Sequence, residues 1–342
     1  MRILLATDAW SPQVNGVVRT WQQTIRELES MGHEVEVAHP ALGPTVAAPR
    51  YPEIRLCLRA GSVVARAMAR SPDAVHIATE GPIGLAARRY CESRHIPYTT
   101  SYHTQFPEYM KRYFALPPAV TWRFMRWFHG GARATLAPTA RVTEQLRTHG
   151  INHARTWCRG VDTGLFRPRV SALFEELPRP IHLYAGRVAR EKNIDAFIEA
   201  KLPGSKIVVG DGPERARLQR AHPSVHFAGY RFGDELAVYY SAADVFVFPS
   251  RTDTFGIVML EANACGVPVA AYPVTGPIDV VREGVNGSLD EDLVAASSRA
   301  LAVSRSNCVA HAREQSWRRV AEVLLGHLAQ NTRDATEFHA NP

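Results

Sequence analysis

The chain has 342 residues, 46% of them hydrophobic and 21% charged, the balance of a globular protein long enough for two domains with separate cores. No apolar run approaches the roughly 20 residues that span a bilayer. The run from Met1 is too short for a signal peptide, and five scattered cysteines suggest neither a metal site nor a redox dithiol, so a reducing cytoplasm is the expected compartment. The net charge of +7 is uneven: residues 1–170 carry 22 Lys+Arg against 12 Asp+Glu, and the remainder 18 against 21. A basic first half suits an anionic partner.

Residues 1–10 read as a buried strand. Ser11–Val18 turns into a helix running to about Ser30, with the flexible pair Asn15-Gly16 at its start; Gly-x-Gly-x-x-Gly is absent, so this is no dinucleotide fingerprint. Residues 31–38 are a helix end and a second strand, and the Pro- and Ala-rich 40–54 reads as loop. Residues 55–70 carry Arg55, Arg59, Arg66 and Arg70 and no acid, which is either a solvated basic face or a surface for anionic lipid headgroups. Strand 73–78 leads through a turn to a helix ending near Arg94. Strand 95–103 ends in His103, at the edge where open α/β sheets bind ligands. In 111–134, Trp122, Phe124, Met125, Trp127 and Phe128 are interleaved with Lys111, Arg112, Arg123, Arg126 and Arg133. This is a core helix with basic edges, or a membrane-facing or acceptor-facing one. No nucleic-acid motif accompanies it, and no nucleic-acid partner is expected.

Pro168, Pro178 and Pro180 mark a crossing into a second domain. Its first strand ends at Gly186, and Arg187 and Lys192 follow, two cations placed to grip a diphosphate unless they merely pair with Glu191. Strand 207–209 leads to Gly210-Asp211-Gly212, where Asp211 is a candidate helix cap. Strand 225–230 ends in Gly229-Tyr230. Then comes Asp244–Glu283, read as strand, loop, helix, strand, loop, helix. Thr254, Phe255 and Gly256 stand where the helix begins, so their N–H groups suit a phosphate. Asp253 precedes that helix mouth, and Glu261 is eight positions later, about two turns in. Together they could hold two hydroxyl-bearing parts of one ligand; taken alone, Asp253 reads as an N-cap and Glu261 as a solvated face. Asp290-Glu291-Asp292 reads as helix-capping acid, and no metal site is expected. Residues 310–330 form an amphipathic helix with Trp317, Val320, Val323 and Leu324.

Two acids separated by seven residues, in the phrase Asp-Thr-Phe-Gly, closely resemble the signature of retaining glycosyltransferases of family 4, though the first acid there is usually Glu. The version here resembles the branch of bacterial glycolipid mannosyl-, glucuronosyl- and sulfoquinovosyltransferases. Tyr-His-Thr-Gln-Phe around His103, Gly-Val-Asp…Phe at 160–166 and the Gly-Arg-x-x-x-x-Lys spacing at Gly186 extend the resemblance over nearly the whole chain. It implies an α/β protein of GT-B fold, two facing doubly wound, Rossmann-like domains with a cleft between them: an acceptor-side domain at 1–168, a nucleotide-sugar domain at 169–310, and a last helix, 311–330, crossing back to the first. It implies that Asn15-Gly16 faces the donor's diphosphate and reacting sugar, although the family often has two glycines there. His103 would contact the transferred sugar, Asp253 the sugar hydroxyls and Glu261 the ribose. Backbone near Gly229 and Tyr230 would hold the base, with Asp211 close by. The implied reaction is a metal-independent, cofactor-free, retaining transfer of a hexosyl group from GDP-mannose or a UDP-sugar. Diacylglycerol or another lipid is the first acceptor, on the inner face of the plasma membrane. Alternatives are a lipopolysaccharide or soluble glycan acceptor, or an epimerase or sugar-nucleotide-binding protein of the same fold.

Overall fold

A computed structural model describes residues 1–13, 15–48, 51–103, 106–107, 110 and 116–340, with side chains omitted for 51–53 and 329–340. Lys111 and Arg112 of the basic aromatic segment lie outside the described residues. The chain divides into two compact units, one made of Met1–Cys158 with the chain from Trp317 onward, the other of Arg159–Ser316. The division falls at 158 and 316, not at 168 and 310. The hinge phrase belongs to the second unit because the Val161 N–H donates to the Gln315 carbonyl at 3.0 Å.

The first unit is a parallel sheet in the order β2-β1-β5-β6-β7-β8. Its strands are β1 (Arg2–Ala6), β2 (Glu34–Ala38), β5 (Ala74–Ile77), β6 (Thr99–Ser101), β7 (Thr135–Ala137) and β8 (Ala154–Thr156). The central strands β1 and β5 are largely apolar and buried, as expected where helices cover both faces of a parallel sheet, whereas β6 is a buried hydroxyl run and β2 at the edge alternates Glu and Val. Leu4, Ala6, Val75 and Ile77 pack on helices Ala60–Met68 and Pro82–Ser93. Residues 40–54, read as loop, contain most of an antiparallel hairpin, β3 (Thr45–Ala48) with β4 (Tyr51–Cys57). The basic run 55–70 thus holds the end of β4 and the helix Ala60–Met68. The helix Trp317–Ala340 returns to this unit, where the Trp157 indole N–H donates to the Val320 carbonyl at 2.9 Å.

The second unit is a parallel sheet in the order β11-β10-β9-β12-β13-β14. Its strands are β9 (Ile181–Ala185), β10 (Ser205–Val209), β11 (His226–Gly229), β12 (Val245–Phe248), β13 (Val269–Ala271) and β14 (Gly287–Leu289). Along β12, Phe246 and Phe248 point into one core and Val245 and Val247 into the other. Strand order reverses between β9 and β12. Loops leaving the C-terminal ends of those two strands therefore diverge and leave a crevice, the position where open α/β sheets take ligands.

Candidate functional site

Arg187 and Lys192 stand on the loop after β9, and Asp253 to Gly256 on the loop after β12, so the reversal point gathers six of the expected contributors. Hydrogen bonds lace the two loops together. Lys192 Nζ donates to Asp253 Oδ1 at 2.6 Å, Thr252 Oγ1 to the Glu191 carbonyl at 3.2 Å, and Asn193 Nδ2 to the Pro249 carbonyl at 3.0 Å. Asn193 is left-handed at φ +54°, which ends the short turn carrying Lys192 and starts the helix Ile194–Glu199. Asp253 Oδ2 is buried and has no hydrogen-bond partner among the described residues. A buried carboxylate oxygen without a donor costs on the order of 1–3 kcal/mol, so a hydroxyl-bearing ligand would relieve it. Lys192, an ammonium with three N–H donors, gives one of them to Asp253 and places a positive charge on this loop. Arg187 NH1 is 4.0 Å from Glu191 Oε1, a loose pair on the same turn.

The helix after Asp253 begins at Ile257, not at Phe255 or Gly256. Gly256 caps it at φ +87°, and a Cβ there would fall 2.8 Å from Met259 Cε and 2.9 Å from Phe248 Cζ. The left-handed glycine turns the chain sharply into the helix, whose N-terminal end suits an anion. Because the helix starts late, Glu261 lies about one turn in, not two. It is 4% exposed, with Oε2 accepting from the Tyr240 hydroxyl at 3.0 Å. A solvated helix face is therefore the wrong reading of Glu261.

Around the same sheet edge, the Asp211 carbonyl accepts from the Val188 N–H at 2.9 Å and from the Tyr230 hydroxyl at 3.4 Å. Its carboxylate accepts from Arg215 at 2.6 Å and from the Gly212 N–H at 2.7 Å. Asp211 thus holds its own loop instead of capping the next helix, whose N-cap is Glu214. The Gly210 N–H donates to the Gly229 carbonyl at 2.8 Å and the Gly186 N–H to Val209 at 2.9 Å, so the Gly186, Asp211 and Tyr230 loops are neighbours. Tyr230 is 40% exposed and stacked on exposed Phe232. Asp292 caps the helix Leu293–Ala300 through the Val294 N–H, Asp290 pairs with Arg299 and Glu291 with Arg251.

His103, Asn15 and Gly16 belong to the first unit. Asn15 caps the helix Gly16–Ser30, its Oδ1 accepting from the N–H groups of Val17 and Val18 at 3.0 Å each. His103 lies two residues past β6, with Nε2 2.9 Å from both the Trp21 indole nitrogen and Ser101 Oγ. Trp21, Ser101 and Tyr240 were not singled out from sequence. Trp21 and Tyr240 sit on apolar helix stripes and read as core; the hydroxyl run Thr99-Thr100-Ser101 in a buried strand was the available signal. Arg55, Arg59, Arg66, Arg70, Arg123 and Arg126 are all exposed in the first unit. Among the described residues no helix is long and apolar enough to cross a membrane.

Two doubly wound parallel-sheet units of this kind are the fold of the GT-B glycosyltransferases. The solved sucrose-phosphate synthase of Thermosynechococcus elongatus shares it, with a TM-score of 0.81 at 21% identity over 98% of this chain and 99% of that one. The family model for glycosyl transferases group 1 matches residues 179–305, and that for glycosyltransferase family 4 matches 14–165. The chain is 32% identical to the GDP-mannose-dependent alpha-mannosyltransferase of Corynebacterium glutamicum, over 96% of this chain and 89% of that one. It is 28% identical to the alpha-monoglucosyldiacylglycerol synthase of Streptococcus pneumoniae, over 88% and 78% respectively. The chain belongs to glycosyltransferase family 4, in its glycolipid branch, and is a glycosyltransferase.

Proposed function

We propose that the protein moves a hexosyl group from a nucleotide sugar, GDP-mannose first and a UDP-sugar second, to a lipid acceptor such as diacylglycerol, with retention of configuration and without a metal ion. The observation that carries this reading is the Lys192–Asp253 pair at the mouth of the helix Ile257–Ala264, with Asp253 Oδ2 buried and unpartnered among the described residues. Asp253 would take a hydroxyl of the donor sugar, and Glu261 those of the ribose. Departure of the nucleoside diphosphate is the costly event. Its developing charge would fall on Lys192, Arg187 and the first-turn N–H groups after Gly256. The corresponding groups of the helix Gly16–Ser30 are already taken by Asn15. Among the described residues no carboxylate stands out as a covalent nucleophile, which supports a same-face attack in which the leaving phosphate helps take the acceptor's proton. The relatives' names, a GDP-mannose-dependent enzyme and a glucosyldiacylglycerol synthase, support the donor and acceptor classes. The six exposed arginines, with Trp127 52% and Leu58 64% exposed, support seating on the anionic inner face of the plasma membrane.

The test is release of nucleoside diphosphate from UDP-, GDP- and ADP-sugars, with and without diacylglycerol vesicles containing anionic lipid. Release from one donor only with vesicles, an α-linked product by NMR and indifference to EDTA are expected. Vesicle-independent release would redirect the acceptor to a soluble or lipopolysaccharide glycan. Loss of activity on chelation would overturn the metal-free reading.

A further inference from the structure

The surroundings of His103 determine which of its nitrogens carries the proton. An indole N–H only donates, so Nε2, 2.9 Å from the Trp21 nitrogen, must accept and cannot itself hold a proton. Ser101 Oγ, also 2.9 Å from Nε2, must then donate to it or turn its proton to the Ala78 carbonyl at 3.3 Å. Behind Ser101, His76 Nε2 lies 3.1 Å from the same hydroxyl, and His76 Nδ1 lies 2.8 Å from Thr99 Oγ1. His76 is fully buried, and burial above all pushes it down to about 3, so it stays neutral. In the tautomer that donates from Nε2 to Ser101 and accepts from Thr99 at Nδ1, a neutral His76 turns the Ser101 proton toward His103; in the other tautomer Ser101 donates to His76, and the Trp21 N–H alone fixes Nε2 of His103.

The donor is itself locked. Trp21 is 1% exposed, with its ring centroid 4.8 Å from that of His76 and 5.0 Å from that of Trp157. Trp157 in turn is tied to Val320 by its own N–H. Trp21 stands on the helix that Gly16 opens, so one side chain links that turn to His103.

We infer that Trp21 is a positioning residue, backed by Ser101 and His76, that holds the His103 proton on Nδ1, so that His103 meets the donor sugar as a hydrogen-bond donor and not as a base at Nε2. The role toward the sugar rests on the function proposed above; the tautomer does not.

The experiment is nitrogen-15 NMR of histidine-labelled protein at neutral pH, with His103 assigned by loss of its signals in His103→Gln. An unprotonated Nε2 and a protonated Nδ1 are expected, and an Nε2-protonated or averaged ring would overturn the inference even if no donor is ever turned over. In Trp21→Phe, protonation at Nε2 should appear. kcat should fall about ten- to a hundredfold, with the affinity for GDP or UDP changed less than twofold. Ser101→Ala should shift the tautomer less, and Ser101→Thr should restore it. An unchanged tautomer in Trp21→Phe, or a shifted tautomer with full activity, would overturn the role. Should Trp21→Phe not fold by circular dichroism, the unsubstituted protein and the Ser101 pair still decide it.

Discussion

Replacing Lys192 with Met removes one cation with two tasks, and the two losses are separable. Toward the fold, Asp253 Oδ1 loses a donor at 2.6 Å while its other oxygen already lacks one among the described residues. The side chains are 24% and 19% exposed, so the cost falls below that of a fully buried pair. About 1–3 kcal/mol is reasonable for a desolvated acceptor left short, which in a protein of this size lowers Tm by a few degrees. Toward the reaction, the lost cation would have faced a leaving diphosphate, and losing one such group costs about 3–4 kcal/mol, or 10²–10³ in kcat. Adding Asp253→Asn to Lys192→Met removes the stranded charge. The double variant should therefore recover most of the Tm while remaining inactive. The assays are scanning fluorimetry and diphosphate release with the donor identified from the panel. A Lys192→Met enzyme within tenfold of the original rate, but with lowered Tm, would show that Lys192 only braces Asp253.

Three further outcomes follow from the same geometry. Gly256→Ala places a Cβ against Met259 and Phe248 at φ +87°. It should cost about 1–3 kcal/mol and lower turnover more than tenfold; a Tm within one degree would refute the turn argument. Tyr240→Phe takes one donor from the buried Glu261 carboxylate, and GDP or UDP affinity by calorimetry should weaken up to about tenfold; unchanged affinity and Tm together would disconnect Glu261 from the nucleotide. His76 is held near 3 against an ordinary 6.5, chiefly by burial and secondarily by His327. Its folded value lies below its unfolded one, so the contribution is complete above about pH 6.5 and is lost as pH falls from 6.5 toward 3, amounting to about 2–3 kcal/mol by pH 4.5. Urea titrations at pH 7 and 4.5 should show a smaller fall for His76→Asn than for the unsubstituted protein, and equal falls would refute the burial argument.

The parallel strands were legible because a strand buried on both faces leaves an unbroken apolar run, as in Val245–Phe248. The hairpin β3–β4 was not, because Ala47, Ala48 and Pro52 disfavour strands locally; its cross-strand pairing, Val46 opposite Leu56, exists only once the chain folds back. The start of the helix at Ile257 was missed for a related reason. A glycine can continue into a helix or cap it left-handed, and the crowding by Met259 and Phe248 that accompanies the second choice comes from packing.

The site shows the same division between local and distant information. Motif spacing is local, and it named the groups expected to face a ligand: Arg187, Lys192, Asp253 and His103. What holds those groups is not local. Lys192 meets Asp253 across 61 positions and Trp21 meets His103 across 82. Glu261 shows how the missing information changes the chemistry assigned to a residue: the helix pattern alone leaves it a solvated acid, whereas Tyr240, 21 positions earlier, makes it a buried acceptor with a fixed oxygen. Such supporting residues look like ordinary core in the sequence because their rings do fill the core. Their single polar atoms, the Trp21 N–H and the Tyr240 O–H, are what couple that core to the ligand-facing groups. A substitution that conserves the ring and deletes the polar atom therefore separates packing from chemistry at both places.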